Sequence, residues 1–315
     1  MSKYCNQLTI LTYYIVPLSK ILENTMKKLY SVFLVFILIV ASSFEQPDAK
    51  AYYENGLTSL NKKEYIKAIG EFTNAISLNP TYADAYYHRA YAKDLLGKNM
   101  GFFSPELCYD FVSAMKLGKL DAANKLEKTC MGECYDLDAA FFEPEIVFCA
   151  DFSSKVLSDL PPGIEKLNNI VKLNFFNNKM TAFSEKFGKI TTLISLDLSS
   201  NKITTIPPVI GQLVYLRDLN LNKNQIKELP YEFGNLKNIK TLTLRQNGLT
   251  TFPKSIAMLS SLENLDLALN PLTSLPVEIA NLKNLKILTL VGHEMSGKEQ
   301  AKVKALLPNT TIYFE

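Results

Sequence analysis

Apolar positions along this chain follow two different spacings. From Ala49 to Pro80 apolar and small residues recur at helical spacing, break near Asn61, resume from Glu64 to Leu78 and stop at Pro80. Proline cannot continue a helix, so the pattern predicts a hairpin of two helices. Gly56 and Ala68 fall where such helices come closest, and Tyr52, Tyr65 and Phe72 fill the space between them. The pattern returns 34 residues later, with Tyr86, Ala90 and Gly97 in one helix and Cys108, Phe111 and Ala114 in the next. This second copy carries an insertion at Met100 to Pro105 and ends in Gly118, and Leu120 to Cys130 reads as a closing helix.

From residue 147 the period changes to 23. Asn178, Asn201, Asn224, Asn247 and Asn270 recur in the frame LxxLxLxxNxL. In one unit the apolar set is Leu193, Leu196, Leu198, Ile203, Ile206, Ile210 and Leu213; the next repeats it from Leu216 to Leu236. The L-x-L alternation is a strand with leucines inward and the intervening residues outward. The asparagines are suited to satisfy backbone groups at a tight turn, where no regular ladder exists. Pro207, Pro230, Pro253 and Pro276 open a short helical turn on the opposite side. One such unit buries too little to offset its own ordering, so the units must stack. The ends depart from the frame: Lys155 replaces asparagine in the first coil and His293 in the last. A helical stretch from Lys298 to Leu307 and a strand from Thr311 to Phe314 read as a closing cap.

These motifs resemble two families. Tyr52, Gly56, Tyr65, Ala68, Phe72, Ala75 and Pro80 are similar to the markers of a tetratricopeptide (TPR) repeat. The 23-residue units resemble leucine-rich repeats, in the bacterial variety with LPxxI after the asparagine. The fold class expected is a short TPR helical array followed by a leucine-rich repeat solenoid, a horseshoe with a parallel β-sheet on its concave face. The domains expected are a helical module over 44–130, a connector over 131–146 and the solenoid over 147–315. Two TPR copies are fewer than the three usually needed for stability, so the helical module is expected to pack against the solenoid.

The amino terminus reads as an address. Lys27 and Lys28 precede an apolar run from Leu29 to Ala41, followed by a plausible cleavage site at Ala41-Ser42-Ser43. That is the pattern of a signal peptide over 26–43, with 1–25 as a doubtful upstream extension. The run is shorter than the roughly 20 residues that span a bilayer, with an uncleaved anchor as the alternative. The expected localisation is exported: periplasmic, cell-surface or secreted.

Composition narrows the chemistry. The formal charge of the 315-residue chain is +3, but from residue 44 onward 30 basic residues balance 30 acidic ones. That argues against nucleic-acid binding, which needs a basic excess. There are two histidines, His88 and His293, and no tryptophan. The sequence around His293 does not complete a zinc motif, and no phosphate loop or carboxylate pair stands out. The expectation is therefore no enzyme, no catalytic residue, no metal site and no cofactor. Cys108, Cys130, Cys134 and Cys149 allow three disulfide connectivities in an exported chain. Cys108 also fits as a small core filler, and Cys130 with Cys134 can bridge if the helix ends at Gly132.

Function is then expected on exposed faces. The outward residues of the strands form three columns. One reads Lys172, Ser195, Asp218, Thr241, Asn264, Ile287; the middle one Asn174, Asp197, Asn220, Thr243, Asp266, Thr289; the third Phe176, Ser199, Asn222, Arg245, Ala268, Val291. The resemblance implies a protein or peptide partner on this face, with Phe176, Asp197, Asp218, Asn220, Asn222, Thr243, Arg245 and Asp266 as candidate contacts. A merely solvated sheet is the alternative, which makes the chain a spacer of the cell envelope. The TPR resemblance places Tyr53, Tyr87 and Tyr91 in a groove, available to a partner segment or buried against the solenoid.

Overall fold

The computed structural model describes residues 48–101, 104–130 and 134–315. The leader readings at 1–25 and 26–43 lie outside the described residues. Five helices come first: α1 (Ala49–Asn61), α2 (Tyr65–Leu78), α3 (Ala83–Met100), α4 (Glu106–Lys116) and α5 (Asp121–Thr129). Gly56 sits so close to α2 that a Cβ there would lie 2.5 Å from the Phe72 ring. Part of the insertion lengthens α3, which runs 18 residues against 13 for α1 and ends at Gly101 in the left-handed conformation. Across the next turn Arg89 grips buried Asp110 with two nitrogens at 2.6 and 2.9 Å, and Lys93 adds a third contact at 2.9 Å.

Eight three-residue strands follow in a single open parallel sheet, ordered as they occur in the chain: β1 (Cys149–Asp151), β2 (Lys172–Asn174), β3 (Ser195–Asp197), β4 (Asp218–Asn220), β5 (Thr241–Thr243), β6 (Asn264–Asp266), β7 (Ile287–Thr289) and β8 (Thr311–Tyr313). Register is exact to the period from β1 to β7, so Leu173, Leu196, Leu219, Leu242, Leu265 and Leu288 form one buried row. A 3-10 turn forms the far side of each coil. Pro207, Pro230, Pro253 and Pro276 stand just before those turns, in extended backbone.

The asparagines tie the coils together. Asn224 donates to the carbonyls of Leu198 and Leu221 and accepts from Ile203 N–H; Asn178, Asn201, Asn247 and Asn270 repeat the scheme. The residue before each of them has φ between 53° and 56°, left-handed geometry that turns the amide inward. His293 does not take over this role. Its Nδ1 accepts from Met295 N–H at 2.8 Å within its own turn, while Leu272 N–H, the partner an asparagine would have taken, bonds Asn270 O. Helix α7 (Gly297–Leu306) closes this end, after α6 (Leu137–Ala140) in the connector at the other.

The disulfides correct the sequence reading. Cys108 pairs with Cys130 and Cys134 with Cys149, so Cys130 does not bridge to Cys134 and Cys108 is more than a filler. The first bond ties α4 to the residue closing α5. The second ties the connector to β1, beside which Tyr135 adds a bridge to Ala150.

The helices rest on one edge of the sheet. Phe148, Val171 and Ile194, each just before a strand, share a buried cluster with Leu107, Phe111, Met115 and Leu126 of α4 and α5. At the next coil the contact turns polar: Arg217 reaches Asn124 at 2.5 Å and Glu127 at 3.3 Å, and Tyr215 OH donates to Met115 O at 2.8 Å. At the same position further on stand Lys240, Glu263 and Lys286, uncovered by helices, with Lys286 paired to Glu263.

Candidate functional site

Docking on the edge leaves the outward face of the sheet open. Side chains from β2 to β5 line a shallow trough of about 370 Å³, with Lys172, Asp197, Asp218, Asn220 and Thr243 among its walls. The middle column does structural work that the sequence reading missed. Asn174, Asp197, Asn220 and Asp266 each accept the backbone N–H two residues on, closing the strand with an Asx turn. The D-x-S and N-x-N spacings were the available signal.

Neighbouring coils then share the remaining polar atoms. Asn220 donates to the second oxygen of Asp197 at 2.9 Å, Thr243 donates to Asn220 at 2.8 Å, and Ser199 donates to Asp197 at 2.6 Å. The Asn222 side-chain oxygen accepts from Arg245 N–H at 2.7 Å. Asp197, Asn220, Asn222 and Thr243 are thus brought together, and much of their hydrogen-bonding capacity is used within the sheet.

Asp218 sits at the seam with the helices. Burial pushes its carboxyl above the usual carboxylate range, and the nearby Glu127 carboxylate pushes the same way, against Thr241, Arg217 and Lys240. Phe176, three coils before Arg245 in the same column, is 43% exposed. The guanidinium of Arg245 has no hydrogen bond or ion pair among the described residues.

Tyr53, Tyr87 and Tyr91 lie together on the helical module, where each is half-buried. The Tyr53 ring lies 4.9 Å from Tyr82 in a tilted contact, and its hydroxyl meets His88 Nδ1; burial, aided by Asp84, raises its pKa to about 12. Lys119 lies over Tyr87 and Lys125 over Tyr91. These contacts are with helical residues rather than with the solenoid. His88 is likewise packed, between Tyr53, Phe72 and Tyr87.

Among the described residues no group of three or more His, Cys, Asp or Glu is placed to hold a metal ion. No helix among them is long and apolar enough to cross a membrane. Residues 208–307 match the family model described as a leucine-rich repeat region, and residues 192–213 match the Leucine Rich Repeat model. Over these residues the coils are leucine-rich repeats. A leucine-rich repeat protein of Leptospira interrogans is 39% identical over 50% of this chain and 40% of its own, with a TM-score of 0.49. The leucine-rich repeat ectodomain of a plant membrane receptor kinase from Arabidopsis thaliana, solved in complex with Casparian strip integrity factor 2, is 24% identical over 54% of this chain and 20% of its own, with a TM-score of 0.44. An uncharacterized protein of Methanocaldococcus jannaschii is 42% identical over 50 residues, 16% of this chain. The chain spans 58% of that relative's length and less than half of the two solved proteins'.

Proposed function

We propose that this chain is an exported scaffold that recognises a protein partner through the outward face of its leucine-rich repeat sheet. The TPR-like helical module acts as a support and offers its tyrosine groove as a second docking surface. The observation that carries the reading is the placement of the helices: they cover the strand-start edge of the first four coils and leave the face bare. A stack of coils locked by buried asparagines supplies a rigid platform, which lowers the ordering cost of binding. Export is supported by the cysteines, since all four in the described residues are paired and such bonds persist in oxidising compartments. No cofactor or enzymatic step enters this reading.

A spacer role in a cell envelope is the second reading, favoured by the hydrogen bonds that the middle column makes to itself. The experiment is a pull-down with the chain from Phe44 against envelope and external protein fractions. It runs beside a variant carrying Ser195→Arg, Asn264→Arg and Thr289→Arg across the face. A partner held by the native chain and lost by the variant at unchanged melting temperature supports recognition. Equal capture by both moves the search to the tyrosine groove, and no capture by either favours the spacer.

A further inference from the structure

The outward face has two unlike halves. Over β2 to β5 the polar atoms largely bond one another, so a ligand there must break existing hydrogen bonds or settle for weaker ones. Past Arg245 the strand-end side of the face turns apolar. Leu269 is 40% exposed just beyond β6 and Val291 is half-buried two residues past the end of β7, with Leu269 N–H bonded to Val291 O. Leu269 holds φ 55°, a costly conformation for a bulky side chain, and it packs on Gly292, where a Cβ would lie 2.5 Å away. The neighbouring acid, Asp266, is engaged by Ala268 N–H and makes no ion pair with Arg245.

Resting on the proposed protein-recognition reading, we infer that the anchoring site is this second half, with Arg245 taking an acidic side chain of an extended partner segment and Leu269 and Val291 taking an apolar one beside it. An unpaired guanidinium is a two-pronged donor suited to a carboxylate. An arginine beside exposed apolar side chains has the composition of a binding hot spot. Arg245 lies at the middle of the face, with sheet on both sides, so a segment crossing the strands passes it in both directions. The acid it meets is therefore an internal Asp or Glu rather than a chain end. Strands are spaced by about 4.8 Å, and an extended chain advances about 6.6 Å every two residues. A residue two positions from the acid then lies between β6 and β7, beside Leu269 and Val291. The segment has the form acid-x-apolar, in either direction.

The test uses the chain from Phe44 and pools of synthetic ten-residue peptides, amidated at the C-terminus, with random flanks around a fixed core. The cores are Asp-x-Leu, Asn-x-Leu, Asp-x-Ser and Lys-x-Leu, and each is also made in the reverse order. Retention of an Asp/Leu pool is expected to exceed its Asn and Ser counterparts by roughly tenfold or more, the scale of one charged hydrogen-bonded contact. Arg245→Gln is expected to erase the Asp preference and Leu269→Ser, which places at 269 the residue that holds the same φ at Ser200, to weaken the Leu preference, both at unchanged melting temperature. A preference for the Lys pool, no preference at all, or an Asp preference that survives Arg245→Gln overturns the inference. A pull-down partner lost by the triple face variant but retained by Arg245→Gln and Leu269→Ser also overturns it while leaving the recognition reading intact. A partner kept by every variant overturns both.

Discussion

The first four coils and the last three share one interior and differ at one edge. Inside, each coil from the second onward carries the same buried leucine row, and the asparagine bonds repeat from coil to coil. At the residue before the strand, the early coils carry Phe148, Val171, Ile194 and Arg217 under helices α4 and α5. The later coils carry Lys240, Glu263 and Lys286 there. Repetition thus fixes the coil, while departure from repetition marks what the coil touches. A column that reads apolar, apolar, apolar, arginine and then charged records both that a second module docks and where its footprint ends.

Matched substitutions across that boundary give the largest expected difference. Ile194→Gln places an amide under the helices with no partner and adds strain, and is expected to cost about 4 kcal/mol. Lys240→Gln at the same position of an uncovered coil is expected to stay within about 0.5 kcal/mol. Urea midpoints of the two variants check this. Equal losses would mean that the helical module does not rest on the early coils. Removing the bond between Cys134 and Cys149, by changing both to alanine, comes next. It opens a loop of 15 residues and is expected to cost about 3 kcal/mol under non-reducing conditions. That loss belongs to the covered end, so limited proteolysis is expected to cut the connector before the later coils.

Arg217→Ala probes the boundary itself. Arg217 is 7% exposed and holds Asn124 and Glu127, both on α5. Loss of these contacts to a charged donor is expected to cost about 1–2 kcal/mol. Hydrogen exchange is expected to rise in α5 and to stay unchanged in β6 and β7. A rise spread over the whole sheet would mean that the arginine supports the solenoid rather than the docking.

Much of this architecture was legible in the sequence, because period 23 and the L-x-L alternation are direct images of coil geometry. The degenerate first coil at Lys155 was legible for the same reason. The disulfide partners were not, since spacing along the chain cannot say that α5 carries Cys130 back to Cys108 in α4. The face was half legible. Alternation put Asp197, Asn220 and Asp266 outward, but only the geometry revealed that each closes its own strand. The covered edge is written in the column just before each strand, Phe148, Val171, Ile194 and Arg217, which fails to repeat and so lies outside what the period itself reveals.

The smallest expected effect is one of pH, and its sign differs between the boundary and the uncovered end. His293 lies in the last coil, with Nδ1 accepting Met295 N–H, Nε2 buried without a partner, and Phe314 edge-on at 5.4 Å. Burial holds its pKa below the ordinary histidine value. The unfolded chain therefore takes up a proton first, so the stability His293 contributes is complete above about pH 6.5 and is lost as pH falls through the folded value. His88, lowered by its own burial, acts in the same direction within the helices. Asp218 acts oppositely: its raised carboxyl takes a proton in the folded state first, so acidification toward the ordinary carboxylate range relieves a cost present at neutral pH. Melting temperatures between pH 7.5 and 5 check both. His293→Asn is expected to lose less than the native chain on acidification, because its amide does not titrate. Asp218→Asn is expected to melt higher than the native chain at pH 7 and to lose that advantage as the pH falls. Parallel curves for the native chain and His293→Asn would mean that the turn around His293 does not depend on its neutral ring.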